Sequence, residues 1–300
     1  MRENREHSLY TLAYGNPVVV QDDPVERNPF FHVRPGTRSL SLSTAGCNLA
    51  CRFCEVWDTA LVAPEAVYAH DMMPQRVLEH AQATNVGAVC YSFGEPVVFY
   101  EYVLAIAKLA RQAGMLNLMQ TAGYIQPEPL AELCPYLDAV NIDLKGFDPE
   151  FYREAVGGEL EPVLRTLQQL RAAGIHVEIT NLLIPTLNDD MQTIERMCRW
   201  IVAELGPDVP LHFARFYPLY KLMDLPRTPV STLDKARQIA LQAGLRFVYV
   251  ARVPGHEGEN TFCPNCHETI IAREGFVIDA IDMENGRCRF CQTRIPGHFA

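Results

Sequence analysis

The sequence predicts an α/β protein: a partial parallel (β/α)6 barrel with an N-terminal β extension and a small C-terminal metal-binding ribbon. Three observations point to it. Three helical patterns end in Ala-Gly and run directly into an apolar strand. Polar residues recur just past the C-terminal ends of the strands. Two Cys-x-x-Cys pairs stand apart near the C-terminus.

Residues 1–38 are expected to form the extension, with a hairpin of Tyr10–Tyr14 and Val18–Val20 around Gly15-Asn16-Pro17. The barrel is expected over 39–254. Its strands are read at 39–43, 88–92, 115–120, 138–143, 175–183 and 211–216, with a trailing strand at 245–250. Helical patterns fill the gaps, for example at 162–173 and 191–205. Gly114, Gly174 and Gly244 follow Gln112-Ala113, Ala172-Ala173 and Gln242-Ala243, the place of a left-handed helix cap. Repeated βα units imply parallel strands with helices outside. The polar strand ends are the cysteine loop, Gly94-Glu95-Pro96, Thr121-Ala122-Gly123, Asp143-Leu144-Lys145, Asn188-Asp189 and Tyr217-Pro218. Parallel α/β barrels build their sites at that face. Residues 255–300 read as a separate four-cysteine module.

Composition bounds the function. An apolar content of 48% with 21% charged residues describes a globular chain with a sizeable core. The net charge of −10 argues against nonspecific nucleic-acid binding, although a small basic groove stays open. No apolar run reaches the ~18 residues of a membrane span. The charged start Met1-Arg2-Glu3-Asn4-Arg5 is unlike a signal peptide, so a cytoplasmic location and no membrane partner are expected. Cys90, Cys134 and Cys198 sit in apolar runs and read as reduced core thiols.

Cys47, Cys51 and Cys54 lie in Ala45-Gly46-Cys47-Asn48-Leu49-Ala50-Cys51-Arg52-Phe53-Cys54 with no fourth cysteine nearby. Four thiolates saturate an iron–sulfur cluster; three on a four-iron cluster leave one iron free for a small molecule. The plainer alternatives are three buried thiols or part of a zinc knuckle. Asn48, Arg52 and Glu55 make the loop polar, against a core segment.

The CxxxCxxC spacing, with an aromatic before the last cysteine, resembles the signature of the radical S-adenosylmethionine (radical SAM) superfamily. That resemblance implies a 4Fe-4S cluster on Cys47, Cys51 and Cys54 and S-adenosyl-L-methionine (SAM) on the open iron. It places Phe53 against adenine and implies that Gly94-Glu95 holds the SAM ammonium, with Phe93 where the family has a glycine. Asp143-Leu144-Lys145 resembles the Asp-x-Lys of pyruvate formate-lyase activating enzyme, where the lysine meets the SAM carboxylate and the aspartate helps hold a cation. Thr121 falls in the ribose and cation region; Gln120 stands where the activase has an acid. Asp23-Pro24-Val25-Glu26, Asn141 to Asp148, Ile184-Pro185-Thr186-Leu187-Asn188-Asp189 and Val253 to Asn260 follow a narrower pattern. It is similar to the radical SAM enzyme of the AmmeMemoRadiSam system, whose members carry a histidine at the position of Tyr217.

Glu178, Thr180 and Leu182 share one strand face. Glu178 pointing inward would be costly unless paired, so it and Thr180 are candidate substrate or SAM contacts. His212 and Tyr217 lie on opposite faces of the next strand and complete the candidates. Cys263-Pro264-Asn265-Cys266 and Cys288-Arg289-Phe290-Cys291, joined around Glu284-Asn285-Gly286, suit a closed tetrahedral site for zinc, with auxiliary iron as the rival. His256-Glu257-Gly258-Glu259 lacks the second histidine of a protease helix.

The expected function is reductive SAM cleavage to a 5′-deoxyadenosyl radical that takes hydrogen from a small-molecule or protein substrate. A flavodoxin or ferredoxin is the expected electron donor, and the resemblance adds a Memo-like partner. The alternatives are glycyl-radical activation of a protein and, from another class, a zinc-ribbon binding protein with a degenerate barrel.

Overall fold

The computed structural model describes residues 1–299. The chain opens with an antiparallel hairpin of β1 (Arg2–Arg5) and β2 (Ser8–Thr11). Its turn residues Glu6 and His7 have φ of 49° and 69°, as a two-residue primed turn requires. The hairpin expected around Gly15-Asn16-Pro17 is therefore displaced. β3 (Val19–Pro24) instead pairs antiparallel with β4 (Arg38–Ser43) along all six residues. A long free edge of β4 offers more hydrogen bonds than a turn containing Pro17 can organise.

β4 begins the parallel series of β5 (Ala88–Tyr91), β6 (Leu116–Thr121), β7 (Ala139–Asp143), β8 (His176–Leu183), β9 (Leu211–Arg215) and β10 (Val248–Ala251). The eight-stranded sheet runs in sequence order from β10 to β3, and each pair from β4 to β10 is parallel. It thus extends past residue 39 to include β3. Helices cover its outside. Leu160–Ala172 buries Val163, Leu164, Leu167 and Leu170, one stripe at helical spacing. Gly114, Gly174 and Gly244 take φ of 73°, 75° and 107° after three such helices, conformations open to glycine at little cost.

The interior is closed from below by the segment after β3. Asn28 Nδ2 donates to Ser39 Oγ and Ser41 Oγ, and Ser92 Oγ donates to Asn28 Oδ1 at 2.7 Å. Asn141 Nδ2 donates to Pro29 O at 2.8 Å, and the Phe31 and His32 N–H groups donate to Glu178. His32 Nε2 meets Tyr249 Oη at 2.7 Å. One short stretch thus bonds to β4, the end of β5, β7, β8 and β10.

The C-terminal ribbon comprises β11 (Thr261–Phe262), β12 (Thr269–Glu274) and β13 (Val277–Ile281) in one antiparallel sheet. β14 (Met283–Glu284) and β15 (Arg287–Cys288) form a second hairpin. It shares a buried cluster with the barrel: Cys263, Ile270, Cys288 and Ile295 pack with Phe31, Phe247 and Tyr249. Among the described residues no helix is long and apolar enough to cross a membrane.

Candidate active site

The cysteine loop follows β4 and is stitched to residues 152–158. Ala50 N–H donates to Val156 O at 3.0 Å and Arg52 N–H to Ala155 O at 2.8 Å. The close approach depends on glycine: a Cβ on Gly158 would lie 2.7 Å from Leu49 Cδ2. Cys47, Cys51 and Cys54 all line one cavity of about 500 Å³ at the C-terminal ends of the strands. Burial pushes the Cys47 thiol up to about 12 and Cys51 to about 11. Metal ligation needs thiolates, so a metal group held here would require loss of those protons.

Phe53, Gly94, Glu95, Thr121, Asp143 and Lys145 line the same cavity. Phe53 is buried and stacks on Phe151 at 6.0 Å. Phe93 holds φ of 62°, so the backbone keeps a glycine-like conformation although the side chain departs from the motif. A Cβ on Gly94 would lie 2.2 Å from Ser43 Oγ, which explains a glycine there. Glu95 accepts from the Thr121 hydroxyl, from Ala122 N–H at 2.8 Å and from Val97 N–H at 3.1 Å. Burial still raises its carboxyl above the usual range, against those donors.

Lys145 Nζ pairs with Asp143 Oδ2 at 3.0 Å. Burial pulls the ammonium down, but Asp143 and the Cys51 thiol outweigh it and hold Lys145 above its usual range. The backbone around it is fixed: Lys145 N–H donates to Tyr152 Oη, Asn188 Nδ2 to Lys145 O and Asn181 Nδ2 to Leu144 O. A cavity bounded by three thiols, a buried carboxyl and an ammonium suits a zwitterionic ligand beside a thiolate-held metal group.

Of the four further contact candidates only Thr180 reaches the cavity, where its Oγ1 donates to Asn141 Oδ1 at 2.9 Å. Glu178 and His212 face the barrel interior but lie beneath it. Glu178 is fully buried, and its Oε2 meets His212 Nε2 at 2.7 Å and Phe31 N–H at 3.1 Å. Its Oε1 takes His32 N–H at 2.9 Å and His176 Nε2 at 3.3 Å. Burial would raise this carboxyl, yet the histidines hold it well below its usual range. It is a saturated structural acid rather than a ligand contact. Tyr217 is exposed outside the cavity and donates to Arg252 O at 3.2 Å.

A model of the radical SAM superfamily matches residues 41–201. The chain belongs to the radical SAM superfamily. It is 42% identical over 296 residues to the uncharacterised protein MJ0808 of Methanocaldococcus jannaschii, covering 98% of this chain and 88% of that one. It is 25% identical over 224 residues to the pyruvate formate-lyase-activating enzyme of Clostridium pasteurianum, covering 71% of this chain and 91% of the relative. The fold is similar to a radical SAM methyltransferase from Sphaerobacter thermophilus, with a TM-score of 0.53 at 16% identity over 74% of this chain and 70% of that one.

Away from this cavity, the four tail sulfurs lie within 4.8 Å of one another. Cys263 and Cys291 are 3.5 Å apart, and Cys266 and Cys288 3.7 Å. Four thiolates at ~2.3 Å from one tetrahedral ion would be ~3.8 Å apart, so the spacing suits a single ion. Both knuckles use one turn: His267 N–H donates to Cys263 O and Gln292 N–H to Cys288 O, each residue at φ of 62°.

Several cavity residues escaped the motif reading. Arg252 makes a bidentate pair with Glu55 of the cysteine loop, joining the end of β10 to the far side of the mouth. Glu26, Glu259, Gly275 and Phe276 also line the cavity. Glu26 and Glu259 fall inside the two quoted patterns at Asp23–Glu26 and Val253–Asn260, the one signal that marked them.

Proposed function

We propose that this radical SAM protein is an enzyme that carries a 4Fe-4S cluster on Cys47, Cys51 and Cys54 and binds SAM in the adjoining cavity. The observation that carries the reading is the convergence of the three thiols, Glu95 and Lys145 on one cavity at the strand ends. When bound, cluster and SAM supply a one-electron cleavage whose 5′-deoxyadenosyl radical takes hydrogen from a substrate. This chain's residues bind and orient. Lys145 pairs with the SAM carboxylate, Gly94 and Glu95 take its ammonium, and Phe53 and Thr121 shape the adenosine side. Asp143 holds Lys145 in place.

The single-ion spacing of the tail supports structural zinc on Cys263, Cys266, Cys288 and Cys291. A flavodoxin or ferredoxin in the cytoplasm would supply the electron, and a Memo-like protein is the partner the narrower resemblance suggests. In this reading 39–254, joined by β3 from within the 1–38 extension, is the catalytic barrel and 255–300 the ribbon. Glycyl-radical activation is the second reading, favoured by the names of activating-enzyme relatives at 25–29% identity. Anaerobic reconstitution with iron and sulfide, then dithionite and SAM, should yield 5′-deoxyadenosine. A protein that takes up no cluster would leave the binding-module alternative standing.

A further inference from the structure

The same cavity has a wall that none of these roles uses. Glu26, Arg27 and Phe31 come from the segment that closes the barrel from below, Phe93 from the loop after β5, and Phe276 from the turn between β12 and β13. β3 and β10 are the two open edges of the sheet. Arg273 of β12 ties the ribbon to the segment after β3, donating to Phe31 O at 2.8 Å with its guanidinium 4.3 Å from the ring centroid. Glu259 Oε2 accepts Gly255 N–H at 3.0 Å and Gly275 N–H at 3.1 Å, which seats the hairpin tip.

In this wall Glu26 is left incomplete. It is 1% exposed, its Oε1 accepts Gly36 N–H at 2.8 Å, and its Oε2 has no hydrogen-bond partner among the described residues. Buried polar atoms are almost always paired, and a buried carboxylate oxygen left bare is among the costliest exceptions. Arg27 is engaged elsewhere, while Arg273 acts on Glu26 through its charge without a hydrogen bond to it, its own buried Nε unpaired among the described residues. Arg27 pairs with Asp23 at 2.6 Å and lies over Phe93, and Arg273 bonds to Phe31, Thr261 and Glu259. Burial raises the Glu26 carboxyl above its usual range even against the Gly36 N–H and the Arg273 charge, so a directly bonded cation would still be favourable there. Around it the wall is aromatic, with Phe276 half exposed at the hairpin tip.

We propose that this part of the cavity is a substrate-recognition subsite for a small molecule bearing a protonated amine on an apolar or planar body. The amine meets Glu26 Oε2, while Phe93 and Phe276 flank the body. The inference rests on the radical SAM reading for the chemistry that follows binding, but recognition itself can be measured alone.

The probe is benzylamine, with benzyl alcohol as a near-isosteric molecule without the charge, titrated by ligand-observed NMR into the reconstituted protein with SAM. Wild type should prefer benzylamine by about tenfold or more, the scale of one charge-assisted hydrogen bond. Glu26→Gln should erase that preference, and Phe276→Ala should weaken both probes. No benzylamine binding by wild type, or equal binding by Glu26→Gln, overturns the inference. SAM cleavage by the same wild-type preparation tests the functional reading separately. If cleavage occurs while the probe results fail, only the subsite is wrong; if cleavage is absent, the reading falls whatever the probes do.

Discussion

The two cysteine sites differ in what surrounds the sulfur. In the ribbon four sulfurs sit within 4.8 Å of one another, with hydrogen-bonded knuckles on both sides. In the barrel three thiols instead line a cavity shared with Glu95, Thr121 and Lys145. The first arrangement has the four ligands of a closed coordination shell, and the second leaves three thiols facing an open cavity. Thiol count alone separates them in sequence; the shared cavity gives the difference its chemical meaning.

The sharpest way to break the comparison is Cys51→Ala. It should abolish the brown cluster absorbance and 5′-deoxyadenosine formation while leaving the tail metal in place. SAM cleavage undiminished in that variant would remove the loop from the chemistry. Cys288→Ser tests the other side. A closed site should hold about one zinc per chain by elemental analysis. Its loss should unfold the ribbon, since metal binding free energy in such modules is folding free energy. Limited proteolysis within 255–299 would report that, and iron with a second cluster signal there would favour the auxiliary-iron alternative.

Smaller effects sharpen the pocket side. Lys145→Ala should weaken SAM binding by about 1.5–3 kcal/mol, roughly tenfold or more, with iron content intact. Unchanged affinity by equilibrium dialysis would make Lys145 only the partner of Asp143. Gly158→Ala should press on Leu49 and destabilise the seating of the cysteine loop by about 1–3 kcal/mol. Its readout is faster iron loss to a chelator, with the tail metal unaffected.

Much of the architecture was legible because it is local. Left-handed glycines after helices and apolar strands of period two mark β5 to β10 within a few residues, and both cysteine spacings read directly. The N-terminal turn was misplaced because β3 pairs with β4 across an intervening loop rather than through a tight turn that local residues would mark. Glu178 shows the same limit. Its strand face could be read, but not that it is met by two histidines and two backbone N–H groups from 146 and 147 residues away.

The sequence by itself determined the parallel βα order, the two sulfur sites and the superfamily, because helix caps, strand periodicity and ligand spacing are short-range. Only the tertiary structure decided which side chains share the cavity. It brought Glu26, Arg252 and Phe276 into one cavity and set Glu178 and His212 beneath it. Closing an incomplete barrel joins segments distant in sequence, and side-chain burial follows from that closure rather than from any local pattern.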